Sequence, residues 1–119
     1  MDKSTAMNLL KNTFVKYTLI DGTTVNLTLA FALLKALEGT NPELAERYYK
    51  ITSKAEKDWC EYDIITILYT AYCCANLDNP EMLNEEVFCI LMGSDRFSLR
   101  GLFNQLMGAK KKPASVTRS

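Results

Sequence analysis

Asp58-Trp59-Cys60-Glu61-Tyr62-Asp63-Ile64-Ile65-Thr66-Ile67-Leu68-Tyr69-Thr70-Ala71-Tyr72-Cys73-Cys74-Ala75-Asn76 is the longest apolar run in the chain and lies near its middle. Its β-branched residues suit a strand, but its length predicts a helix. At about 100° per residue, Ile64, Leu68, Ala71 and Ala75 share one face, with Ile67 and Tyr72 beside them. Tyr62, Thr66, Tyr69 and Cys73 form the opposite face, which is amphipathic and uncharged. Asp58, Glu61 and Asp63 fall in the first turns, where acids complement the helix dipole. Asn79-Pro80 ends the element. A helix without a charged face past its first turns is buried or lies against a partner, so the rest of the chain is expected to pack around this one.

Before this run, Val15, Tyr17 and Leu19 alternate with Lys16 and Thr18, and Asp21-Gly22 is a hairpin signal. A two-residue Asp21-Gly22 loop would set Lys16 across from Leu27 and mix the two faces. A three-residue loop, Ile20-Asp21-Gly22, sets Tyr17 across from Val25 and Val15 across from Leu27. It also places Gly22 where a left-handed residue closes a bulge. The second register is therefore expected, in a hairpin at about residues 13–27 that must lie on helices to be stable. Residues 1–12 read as a loose or weakly helical lead-in.

Thr28 is placed to cap a helix through Leu29, Phe31, Leu33, Leu34 and Leu37, stopped by Gly39. Asn41-Pro42-Glu43 restarts a helix that buries Leu44, Tyr48, Ile51 and Ala55. On its outer face Glu43 with Arg47 and Glu46 with Lys50 read as i,i+4 pairs on a solvated surface. Asn84-Glu85-Glu86 opens a short helix stopped by Gly93, and Ser94-Asp95 caps a last helix ending at Gly108. The expected fold is mainly α (α+β), with an N-terminal β-hairpin followed by about five helices in a compact bundle. Residues 1–109 form one domain, and residues 110–119 a flexible basic tail.

The 119 residues suffice for one core, and the formal net charge is zero. Lys110, Lys111, Lys112 and Arg118 leave ten bases against 14 acids in the body, about −4, which argues against nucleic acid as the main partner. Residues 1–5 lack the apolar core of a signal peptide, and the central run is too short to span a membrane, so a cytosolic protein is expected. Cys60, Cys73, Cys74 and Cys89 form no CxxC pair and read as reduced thiols rather than zinc ligands. Without histidine the usual general base is missing, and no nucleophile elbow, phosphate loop or zinc motif occurs. Neither an enzyme nor a cofactor is expected.

Val87 to Leu106 also reads as helix, turn, helix, the outline of a nucleic-acid-binding regulator, but the second helix offers only Arg96 and Arg100 and the first carries Glu85 and Glu86. Surplus Met and aromatic residues favour an adaptable protein-binding surface or a homo-oligomer contact. Tyr62, Thr66, Tyr69 and Cys73 are the candidate residues for it.

Thr13-Phe14-Val15-Lys16-Tyr17-Thr18-Leu19 with Asp21-Gly22, then Leu27-Thr28-Leu29-Ala30-Phe31-Ala32-Leu33-Leu34, resembles small tail assembly chaperones of long-tailed bacteriophages of Gram-positive hosts. Asp63-Ile64-Ile65-Thr66-Ile67-Leu68-Tyr69-Thr70-Ala71-Tyr72, Glu85-Glu86-Val87-Phe88-Cys89-Ile90-Leu91-Met92 and Leu102-Phe103-Asn104-Gln105-Leu106-Met107 are similar to later blocks of such proteins, so that the likeness covers about residues 13–112. It rests on the order and pattern of blocks, not on a catalytic signature. The resemblance implies a protein of the host cytoplasm, absent from the mature virion, that binds the long helical tape-measure protein and keeps it soluble. It would then help tail-tube subunits polymerise around that protein. A longer, frameshifted form is often made in that family.

Overall fold

The structure, a computed structural model, describes residues 2–110. Helix α1 (Lys3–Leu10) and a 3-10 turn (Lys11–Thr13) precede strands β1 (Val15–Thr18) and β2 (Thr24–Leu27). Helices α2 (Phe31–Thr40), α3 (Pro42–Thr52), α4 (Glu61–Ala75), α5 (Glu85–Met92) and α6 (Arg96–Lys110) follow, with a second 3-10 turn (Glu56–Asp58) before α4. The chain is therefore mainly α with an N-terminal antiparallel hairpin.

The central run becomes α4, and ten of its 15 residues are buried, far more than one amphipathic stripe supplies. Helices α2, α3, α5 and α6 and strand β2 all pack on it. Burial on every side explains why this helix carries no charge beyond its first turn: an unpaired charge in such a position would have to leave water. Asp63, in that first turn, accepts from the Cys60 N–H (3.0 Å) and from Lys54 Nζ (3.1 Å). Those bonds favour the charged form, so its carboxyl is held below the usual range, first by the Cys60 backbone and then by Lys54.

The hairpin adopts the coherent register, Val15 opposite Leu27 and Tyr17 opposite Val25. Leu19 N–H donates to Thr23 O (2.7 Å) and Gly22 N–H to Leu19 O (2.9 Å), leaving Ile20-Asp21-Gly22 as the loop. Gly22 has φ +91°, a conformation that costs glycine nothing and other residues much. The apolar side of the hairpin packs on the core through Val15, Tyr17, Val25 and Leu27.

Several boundaries differ from the sequence reading. The lead-in is an ordered helix: Asp2 Oδ1 accepts from Thr5 N–H (2.8 Å) and caps α1, although no residue of α1 is buried. Among the described residues five α-helices follow the hairpin, as the sequence predicts, and α1 precedes it. Thr28 is not a cap. Its N–H donates to Ala71 O of α4 (3.0 Å), and its hydroxyl bonds the Thr13 hydroxyl (2.6 Å) and accepts from Ala30 N–H (3.3 Å). These contacts hold residues 28–30 extended against α4, and α2 starts at Phe31. Gly39 lies within the last turn of α2, which runs on to Thr40.

Asn41 and Pro42 do start α3, with Asn41 Oδ1 accepting from Leu44 N–H (3.2 Å). That helix ends at Thr52, so Ala55 lies beyond it and is exposed. Asp95 Oδ1 accepts from Phe97 N–H (3.0 Å) at the start of α6, as its spacing predicts. Lys110 belongs to α6 and not to a tail: its ammonium donates to Leu29 O and lies 4.0 Å from the centre of the Phe31 ring. The rest of the expected tail, residues 111–119, is outside the described residues.

Candidate protein-binding surface

The four candidate residues on α4 do not form one open face. Thr66, Tyr69 and Cys73 are buried within the single chain, and Tyr62 alone is exposed. Helix α5 and the loop before it cover Tyr69. Tyr69 donates its hydroxyl to Leu83 O (3.0 Å), and the Tyr72 hydroxyl accepts from Leu83 N–H (2.9 Å). The fully buried Phe88 ring of α5 lies 5.2 Å from the Tyr69 ring and 5.0 Å from that of Tyr72, distances at which aromatic pairs attract beyond their area alone. Burial pushes the phenol pKa of Tyr69 up, so this hydroxyl is a neutral donor.

Arg47 closes the same face from α3. Its guanidinium makes two bonds to the Glu85 carboxylate, at 2.8 and 2.7 Å, and donates to the Thr66 hydroxyl at 3.3 Å. The bidentate geometry matches the planar fork of arginine to a carboxylate. It holds the Glu85 carboxyl below the usual range, by the hydrogen bonds first, against the opposing effect of burial. The sequence pairing of Arg47 with Glu43 is thus corrected. Arg47 spans from α3 to α5, a partner 38 residues away, whereas Glu46 and Lys50 do approach at 4.0 Å.

Solvent instead meets large apolar side chains elsewhere. Phe97 is 90% exposed, Tyr62 82%, Phe31 78%, Ile20 67% and Ile90 63%, and of these all but Phe31 lie near the α5–α6 turn or the start of α4. They are not dangling. Ile20, in the hairpin loop, donates its N–H to Leu91 O at the end of α5 (2.9 Å). Its Cγ2 is 3.2 Å from where a Cβ on Gly93 would stand. Gly93 (φ +81°) turns the chain between Ile90 on α5 and Phe97 on α6. Arg96 is ion-paired with Glu61, which draws the start of α6 to the start of α4 beside Tyr62. Ordered backbone therefore presents Ile20, Ile90, Phe97 and Tyr62 to water. Helical spacing had singled out Tyr62; Ile20, Ile90 and Phe97 follow no such period.

The second helix of the helix-turn-helix outline has its two arginines engaged: Arg96 with Glu61, and Arg100 with Glu56 at 3.2 Å. Cys60 is exposed, Cys89 half-buried, and Cys73 and Cys74 buried, with all four thiols free. Burial pushes the Cys74 thiol up to about 12. Among the described residues, no three His, Cys, Asp or Glu side chains group so as to hold a metal ion. No helix of the described residues is long and apolar enough to cross a membrane. No protein-family model, curated protein or solved structure matches this chain.

Proposed function

We propose that this protein is a helical module that binds apolar helical segments of other proteins, and that its partner is a phage tape-measure protein. The observation that carries the first half is the set of exposed apolar side chains, Ile20, Tyr62, Ile90 and Phe97, held on ordered backbone around the Gly93 turn. Each such side chain costs free energy in water and regains it against an apolar surface, by roughly 25 cal/mol per Å² covered. Aromatic and aliphatic anchors of this kind supply most of the energy of protein interfaces. The partner comes from the block-by-block likeness to tail assembly chaperones, which also implies action in the host cytoplasm, handover to tail-tube subunits and absence from the finished virion. Self-association through the same anchors is part of the proposal, since a second copy offers apolar side chains in water the same gain as an apolar segment does.

The test is co-expression with an apolar tape-measure segment, followed by pull-down from the soluble fraction. Wild-type protein is expected to retain the segment without nucleotide or metal. Ile90→Lys and Phe97→Lys, both at exposed positions, are expected to lose it while melting as the wild type does. Recovery of the segment only in the insoluble fraction refutes the chaperone reading. Equal retention by the lysine variants refutes the assignment of the surface.

A further inference from the structure

We infer that the outer edge of β2 is a docking site for a short, extended, basic peptide strand. The hairpin has only two strands, so each has an edge with no neighbour. Leu19 bonds Thr23 across the ladder, and antiparallel pairing alternates, so the bonded pairs are Tyr17 with Val25 and Val15 with Leu27. The N–H and C=O groups of Thr24 and Asn26 therefore point away from β1. Among the described residues no backbone group bonds those of Thr24 or Asn26 from that side. One side chain does the work of a missing strand there: Asn76 Nδ2 donates to Asn26 O, at a long 3.3 Å.

Thr24 and Asn26 are exposed, and their edge opens onto a concave surface rather than a flat one. This edge forms one wall of a groove of about 270 Å³, whose other wall is the end of α4 and the following loop. Tyr72, Leu83 and Leu91 give the groove apolar contacts, and Asp21 and Glu81 give it charge. No lysine or arginine lines it, and neither acid has an ion-pair partner among the described residues. An added strand would bond the backbone of Thr24 and Asn26, displacing the Asn76 amide. One set of its alternate side chains would meet Tyr72, Leu83 and Leu91, and Asp21 and Glu81 would attract the charge of a basic segment. The occupant that fits both is an extended segment alternating apolar residues with lysine or arginine. The groove adjoins Ile20 and Ile90 through Asp21 and Leu91, but the Thr24 and Asn26 edge includes none of the exposed apolar residues around Gly93 and stands whether or not those bind a helix.

The probe is a blocked pentapeptide of alternating lysine and valine, titrated to millimolar into the full chain and followed through backbone amide signals. Shifts are expected at Thr24 and Asn26 and at the Asn76 side-chain amide. No shift at these positions overturns the proposal. Two further peptides carry N-methyl groups on either the lysines or the valines. A strand at an edge turns only every second N–H toward its neighbour, so one pattern should abolish binding and the other spare it. Equal effects of the two patterns overturn strand pairing. The double variant Asp21→Asn, Glu81→Gln should bind the unmodified peptide about three- to tenfold more weakly at low salt, with the difference shrinking as salt rises. Unchanged affinity refutes the basic occupant.

Discussion

Tyr69→Lys separates a binding face on α4 from a core. At an oligomer contact the substitution would yield smaller particles of unchanged stability. The burial of Tyr69 within the chain predicts lower stability at unchanged particle mass instead. Tyr69 is 6% exposed and touches Tyr72 and Phe88, with ring centres 6.1 and 5.2 Å away. Removing a buried aromatic ring costs about 3 kcal/mol or more from lost transfer energy and the cavity left behind. Each of the two ring pairs is worth about 0.5–1.5 kcal/mol, part of it already counted in the loss of the ring. Loss of the hydroxyl leaves Leu83 O without its donor, about 1 kcal/mol. A lysine can bend its ammonium toward water past Glu85 and recover part of this, so about 4 kcal/mol is the expected net loss. At roughly 4 °C per kcal/mol for a chain of this size, the melting point should fall by about 15 °C. Urea unfolding followed by far-UV circular dichroism and Trp59 fluorescence measures the change, with light scattering on the same sample. A variant with wild-type melting and a smaller particle mass would refute the burial argument.

Glu85→Gln tests the bond between α3 and α5. The native carboxyl pKa is depressed by Arg47, so its stabilisation is present at neutral pH, above the ordinary glutamate value of about 4.3, and is lost as pH falls through the native pKa. The pair is more than a third exposed, so screening limits it to about 0.5–1 kcal/mol. The gap in stability between wild type and variant should close from about pH 5 downward, and a gap that persists into acid would contradict the pairing. Gly93→Ala should cost about 1–3 kcal/mol in denaturant unfolding, because φ +81° with ψ −170° is a region that essentially only glycine occupies, and because the new methyl would press on Ile20. A neutral Gly93→Ala would show that the turn relaxes freely.

The hairpin register was legible in the sequence because a strand has period 2: only one pairing puts Val15, Tyr17, Val25 and Leu27 on the same face, and only Gly22 tolerates the loop conformation that follows. The starts of α3 and α5 were legible for an equally local reason, a polar cap that serves N–H groups two or three residues on, at Asn41 and Asn84. Apolar length alone identified α4 as central. The partners were not legible. Thr28 has the chemistry of a cap, yet it spends its hydroxyl and N–H on Thr13 and Ala71, groups whose proximity exists only once hairpin and helix have packed. Arg47 has Glu43 one turn away and reaches Glu85 instead, since a guanidinium gains more from a bidentate, half-buried carboxylate than from a solvated one. The uncharged face of α4 told that Thr66, Tyr69 and Cys73 needed cover, and either a second molecule or this chain could supply it. Tertiary structure supplied it from within the chain, to Tyr69 with Phe88 and the loop at Leu83 and to Thr66 with Arg47. Hydrophobic burial is non-directional, so periodicity states how much surface must leave water and leaves open what comes to cover it.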